Sequence, residues 1–274
     1  MADIIDAHLH VWRIDAPFHG WPEVADGGLY RSHSLDDARA AMGDAPVGRV
    51  VLVQAQTDDR ETDWMLDLAE ADPWVAGVVG WVALDDPGAP ARIAALAQRP
   101  KLLGLRPMLQ AIPESDWLLR DDVARGVAAM FAGGLRFDAL VQPRHLDVLA
   151  TFADRWPTLP IVIDHAAKPT PPGDAGWATG MAALATRPNV WCKLSGLRTE
   201  QAAGDDPLAL GGIVERVLGW FGERVLWGSD WPVLSAAGDG YSDWLATTRA
   251  LTAGLSDDAR VRLMGGAARA FYGV

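Results

Sequence analysis

Ile4-Ile5-Asp6-Ala7-His8-Leu9-His10 reads as a β-strand that begins almost at the N-terminus. Side chains alternate across a strand, so His8 and His10 project to one side, with Asp6 on the same face. Two neutral imidazoles so placed can share a divalent metal or polarise one bound carbonyl. Two histidines hydrogen-bonded inside a half-buried strand is the other reading of this segment alone. Similar short apolar runs follow at 50–54, 76–82, 102–107, 137–142, 160–165, 190–195 and 225–230, which makes eight. They are nearly continuous in Val, Ile and Leu, as strands covered on both faces should be.

Helix-like segments lie between the runs, at 61–71, 90–97, 121–132, 145–155, 207–221 and 242–251. The segment 145–155, for example, carries Leu146, Leu149 and Phe152 at helical spacing. A last helix starts at Ser256, an N-cap residue followed by Asp257 and Asp258, and its Gly265-Gly266 pair is a weak point. Strand and helix in alternation imply a parallel sheet, and eight such units predict a single-domain α/β fold, a (β/α)8 TIM barrel over residues 1–274. A doubly wound open sheet is the rival. Against it, no glycine-rich phosphate loop follows any strand. The loop between Val11 and Ser34 is long enough to cover a pocket.

The chain has 274 residues, half of them hydrophobic, and a formal charge of −12. Such acidity without a basic run argues against nucleic acid or an anionic membrane surface as partner. Cys192 is the only cysteine, which excludes an intrachain disulfide and a cysteine-rich zinc site. No signal-peptide pattern and no bilayer-length apolar stretch is present, so a cytoplasmic location is expected, as a monomer or homodimer. There are 13 tryptophans against 3 tyrosines. Most should pack in the core, while Trp12, Trp81 and Trp231 stand beside strand ends and are candidates to line a pocket.

In a barrel of this kind chemistry sits at the C-terminal ends of the strands. Those ends carry His8, His10, Gln54, Arg106, Gln142, His165, Ser195 and Asp230. Burying a histidine or aspartate there without partners costs several kcal/mol, so packing alone explains them poorly. Asp6 is either an acceptor that orients an imidazole or a bond to barrel backbone. Asp164 alternates away from His165 and should face the helices. Asp230 lies two residues past Gly228, which leaves space beneath the carboxylate. It could accept a proton from an attacking water, bind a metal, or do both.

Motifs along the chain resemble one family. They are Asp-Ala-His-Leu-His-Val-Trp at 6–12, Val-Leu-Val-Gln-Ala at 51–55, Gly-Val-Val-Gly-Trp-Val at 77–82 and Gly-Leu-Arg at 104–106. Further along come Ile-Asp-His-Ala-Ala-Lys-Pro at 163–169, Cys-Lys-Leu-Ser-Gly-Leu at 192–197 and Gly-Ser-Asp-Trp-Pro-Val at 228–233. Together they are similar to the amidohydrolase-2 branch of the amidohydrolase superfamily. Within it they resemble the lactonase group of sugar-lactone, sulfomuconolactone and pyrone-dicarboxylate lactone hydrolases. The resemblance implies a (β/α)8 barrel that opens a lactone, with His8, His10, His165 and Asp230 in the active site. It departs from the fuller metal-binding pattern at the fifth strand, which ends in Gln142 with His145 three residues later, and at the fourth, which lacks a bridging lysine or glutamate. A single divalent metal, zinc, held by His8, His10, His165 and Asp230 is therefore expected, or catalysis without metal.

For a lactone, Asp230 is expected to be the general base and His165 to stabilise the oxyanion or complete the metal shell. His8 and His10 would polarise the carbonyl. Trp12, Arg106, Gln142 and Trp231 complete the expected substrate-binding set. Arg106, Arg144, Lys168 and Arg198 could clamp a carboxylate or sulfonate, whereas Trp12, Trp81 and Trp231 could stack on a sugar ring. The first arrangement suits an anionic muconolactone-type substrate and the second a neutral aldonolactone, which the abundance of tryptophan favours. The rivals are a metal-dependent decarboxylase of the same superfamily and an inactive ligand-binding barrel.

Overall fold

The computed structural model describes residues 4–202 and 204–274, so Met1 to Asp3 and Ala203 of the expected domain lie outside the described residues. Eight strands form one sheet in the order of the chain: β1 (Ile4–Leu9), β2 (Val47–Val53), β3 (Val75–Gly80), β4 (Leu102–Leu105), β5 (Arg136–Ala139), β6 (Ile161–Ile163), β7 (Val190–Leu194) and β8 (Val225–Trp227). Every pairing is parallel. The sheet closes on itself where the Asp230 N–H donates to the His8 carbonyl and the His10 N–H to that of Trp231, both at 2.8 Å. The result is the expected (β/α)8 barrel. No described helix is long and apolar enough to cross a membrane.

The helices are α1 (Leu35–Met42), α2 (Asp59–Ala71), α3 (Ala89–Leu96), α4 (Asp121–Ala132), α5 (Leu146–Arg155), α6 (Ala175–Ala185), α7 (Gly211–Phe221), α8 (Tyr241–Leu251), α9 (Asp257–Val261) and α10 (Ala267–Tyr272). Two were not anticipated. The short α1 announces itself only by its capping box, in which Ser34 and Asp37 exchange side-chain-to-backbone bonds. Helix α6, Ala-Gly-Trp-Ala-Thr-Gly-Met-Ala-Ala-Leu-Ala, is apolar nearly all round and so shows no period. The expected helix over 207–221 begins with a 3₁₀ turn, Pro207–Leu210, before α7.

Two apolar layers follow from the strand alternation. Residues such as Leu52, Ile161, Ile163, Cys192, Leu194 and Trp227 face outward and pack under the helices. Ile5, Ala7, Val51, Val53, Val162 and Leu226 face inward. The inward layer is completed from below by Ala267, Ala268, Phe271 and Tyr272 of α10, which plugs the barrel. The weak point at Gly265-Gly266 is explained here: Arg262–Gly266 forms a wide π-helical turn between α9 and α10.

The strands end earlier than the sequence suggests. β6 stops at Ile163 and β8 at Trp227, so His165 and Asp230 stand beyond the ladder, where the backbone is free to turn its side chains inward.

Candidate active site

A bulge in β1 aims the first histidine. Asp6 pairs with Val50 and Leu9 with Leu52, three residues against two. The extra residue breaks the period-two alternation, as β-bulges beside active sites do. Asp6 therefore does not share the face of His8, contrary to expectation. It points outward, accepts from the backbone N–H groups of His8 (3.1 Å) and Ser229 (2.9 Å) and from the Tyr241 hydroxyl (3.0 Å). It orients barrel backbone, not an imidazole. Burial pushes its carboxyl up to about 6. The space expected above Gly228 belongs to His8: a Cβ added to Gly228 would sit 2.6 Å from the His8 Cβ.

The second correction concerns Asp164. Strand alternation puts Val162 and Asp164 inward, so Asp164 faces the barrel axis and not the helices. His165 would then face outward, but residues 165–168 all adopt left-handed backbone conformations, with φ of 54°, 49°, 61° and 52°. This turn swings His165 into the barrel as well. Gly196, itself at φ 60°, makes room for it: a Cβ there would lie 2.3 Å from His165 Nδ1.

The four expected residues meet. His8 Nε2 and His10 Nε2 are 3.2 Å apart. Asp230 Oδ1 lies 3.3 Å from His10 Nε2, 3.5 Å from His8 Nε2 and 3.8 Å from His165 Nε2. His10 Nδ1 must donate to the Val53 carbonyl at 2.8 Å, which leaves the lone pair of Nε2 facing the cluster. His165 Nδ1 meets the Ser195 hydroxyl at 2.9 Å, which can donate or accept. Burial, reinforced by Lys193, holds His8 well below its ordinary range. Burial likewise holds His165 down to about 4, so both rings are neutral at physiological pH. Burial alone would raise Asp230, but the imidazoles, His165 foremost, outweigh it and hold the carboxyl below its ordinary value. The floor of the site is thus one carboxylate beside His10 and the neutral rings of His8 and His165.

This donor set fits a divalent cation. A four-coordinate zinc with ligands at about 2.0–2.1 Å spaces its ligand atoms about 3.3 Å apart. His8, His10 and Asp230 already stand at that spacing, with His165 slightly farther. His145 does not contribute. Its Nδ1 accepts from the Gln142 N–H, 3.0 Å away, in the turn before α5.

Beneath lie Lys193, Asp138 and Tyr272, which the sequence did not single out. Lys193 projects inward from β7 and is wholly buried, with Nζ 3.1 Å from His8 Nδ1, 2.5 Å from Asp138 Oδ2 and 3.0 Å from Asp164 Oδ1. Tyr272 of α10 donates to Asp138 at 2.7 Å. Arg106 Nη1 lies 3.3 Å from both Asp164 Oδ2 and His8 Nε2, and its Nη2 donates to Gln54 Oε1 at 2.8 Å. A charged residue inside an apolar strand, as in Phe137-Asp138-Ala139 and Cys192-Lys193-Leu194, was the readable signal for this network.

The cluster opens into a cavity of about 660 Å³ at the C-terminal end of the strands. His10, Arg106, His165, Lys168, Glu200 and Asp230 line it. Gly20, Trp21, Asp26 and Leu29 bring the long loop over it, fastened where Gln56 Oε1 accepts from the N–H groups of Gly20 (2.8 Å) and Trp21 (3.0 Å). The expected tryptophans are elsewhere. Trp12 is buried behind the wall, its Nε1 bonded to the Arg31 carbonyl at 2.7 Å. Trp231 packs edge-on against His33. Trp81 lines an adjoining groove that shares Thr57, Met108 and Ala111 with the main cavity. Trp21 is the tryptophan on the wall. Gln142 also lies off the lining, tied to Arg144. Arg144 and Arg198 anchor loops, through the carbonyls of Ile112 and Pro113 and through Asp239 respectively. A second cleft, about 640 Å³, opens at the opposite end of the barrel near Ile4 and Pro46, but none of the strand-end polar residues reaches it.

The profile described as amidohydrolase matches residues 5–274. An L-fucono-1,5-lactonase of Burkholderia ambifaria is 44% identical over 98% of this chain and 94% of its own length. An L-fucono-1,5-lactonase of Burkholderia multivorans is 34% identical, over 84% of this chain and 82% of its own. The crystal structure of an amidohydrolase from Burkholderia multivorans with bound zinc superposes with a TM-score of 0.92 at 32% identity, covering 100% of both chains. The barrel, its converging His and Asp residues and these likenesses agree: the chain belongs to the amidohydrolase family.

Proposed function

We propose that the protein is a hydrolase that opens a sugar 1,5-lactone, of the L-fuconolactone type its relatives are named for. The observation that carries this reading is the carboxylate of Asp230 at the cavity floor, within 3.8 Å of three imidazole nitrogens. With the lactone carbonyl oxygen seated against His8 and His165, a water beside Asp230 Oδ1 attacks the carbonyl carbon. Asp230 takes its proton as the new carbon–oxygen bond forms. The ring carbon–oxygen bond breaks, and the departing ring oxygen takes that proton back from Asp230 to give the open hydroxy acid. The buried, neutral His8 and His165 are preorganised around the developing oxyanion.

We further propose zinc as the cation of this site, held by His8, His10 and Asp230 with His165 alongside. When bound it would polarise the carbonyl as a Lewis acid. One feature supports a metal-free route instead: Arg106 Nη1 lies 3.3 Å from His8 Nε2. That guanidinium can supply positive charge to the carbonyl directly. The decarboxylase reading has no comparable support on the fifth strand, where His145 is turned away.

Proton release on a panel of aldonolactones, a carboxylated muconolactone and an aromatic carboxylic acid tests the reading. Opening of the aldonolactones, without carbon dioxide from the acid, is the expected result. Elemental analysis with activity before and after chelation separates the two routes. Activity that survives complete metal removal would exclude the zinc.

A further inference from the structure

We propose that Lys168 and Glu200 form a hydroxyl-recognising subsite that holds a vicinal diol of a neutral lactone. The inference rests on the lactonase reading and names the chemistry by which the cavity selects within it. The left-handed segment 165–168 is the first observation. The conformation, one that L-residues avoid, persists from His165 to Lys168. The turn closes with the Lys168 N–H on the His165 carbonyl at 2.8 Å. A three-residue turn stacks residues i and i+3, so Lys168 shares the face of His165 and points into the same cavity. The Trp177 indole N–H, from α6, holds the middle of the turn through the Ala166 carbonyl at 2.7 Å.

The second observation is the partner. Lys168 Nζ donates to Glu200 Oε1 at 2.9 Å, and both side chains are about four-fifths buried on the cavity wall. Among the described residues neither side chain makes another hydrogen bond. The ammonium thus keeps two N–H groups and the carboxylate keeps Oε2 for a ligand. A hydroxyl donates and accepts, so two adjacent hydroxyls can take one bond from the ammonium and give one to the carboxylate. A carboxylate or sulfonate would meet Glu200 as a like charge. Arg106, the other strong cation on the wall, is already paired with Asp164 at 3.3 Å. The pair therefore favours the neutral aldonolactone over the anionic muconolactone-type substrate that a clamp of Lys168 and Arg106 would suit.

The test is the ratio of kcat/KM on a polyhydroxylated 1,5-lactone to that on the unsubstituted ring of the same size. A ratio from one preparation does not depend on how much enzyme is active. Lys168→Met and Glu200→Leu are each expected to shrink it about ten- to hundredfold, as for loss of a hydrogen bond to a charged group. A ratio that either variant leaves unchanged overturns the subsite and leaves the lactonase reading standing. A wild-type enzyme that opens no lactone overturns that reading and the subsite with it.

Discussion

The ammonium of Lys193 sits 3.0 Å from Oδ1 of Asp164, with both side chains fully buried beneath His8. It also holds Asp138 at 2.5 Å, so one cation serves two carboxylates. Burial would raise Asp164, but Lys193, with His8 and Arg106, outweighs it and keeps the group well below its ordinary range. Burial and the neighbouring Asp164 push Asp138 the other way. Removing the cation strands charge in the interior, which typically costs about 3–5 kcal/mol. Lys193→Met should lower urea-unfolding stability by that order and disturb His8. A loss below about 1 kcal/mol would show that the network is not held by this charge.

Gly196 is predicted to be intolerant of any side chain. Its φ of 60° is costly for other residues, and the added Cβ would meet the His165 ring at 2.3 Å. Gly196→Ala should destabilise the fold by about 1–3 kcal/mol and reduce turnover by displacing His165. A melting curve and lactone kinetics on the same sample check both, and retained activity would mean that the position of His165 is not critical.

Glu61 gives the stability a pH dependence of defined sign. Its Oε2 accepts from the N–H groups of Ala55 (2.9 Å) and Gln56 (2.8 Å), beneath the loop fastening. Burial raises its carboxyl from 4.5 to about 8. The folded state therefore favours the protonated form. The penalty is absent below the unfolded value, grows as pH rises through the interval, and is complete above about 8. Glu61→Gln should gain on wild type by a few kcal/mol between about pH 5 and pH 8.5 in urea unfolding. A constant difference between the two proteins across that range would contradict the raised value.

Much of this was legible because the barrel repeats one simple pattern. Eight apolar runs ending in polar residues gave the fold and brought His8, His10, His165 and Asp230 together on paper. What period-two reasoning could not see is where the backbone leaves the period. The bulge after Asp6 and the left-handed turn at 165–168 reversed the assignments of Asp6 and Asp164. Both are held by residues far along the chain, Ser229 and Tyr241 at Asp6 and Gly196 and Trp177 at the turn. The tryptophans misled for a related reason. Trp12 and Trp231 follow strand ends, but their rings fold back to pack around His33, and the cavity wall takes Trp21 from mid-loop.

The steady-state rate of L-fucono-1,5-lactone opening by wild type and by Asp230→Asn, read as proton release on folded protein, tests the central claim most directly. Loss of a general base should lower kcat by about 10²–10⁴-fold while the melting temperature stays near that of wild type. An Asp230→Asn enzyme that turns over at near the wild-type rate would remove the carboxylate from the chemistry and contradict the account.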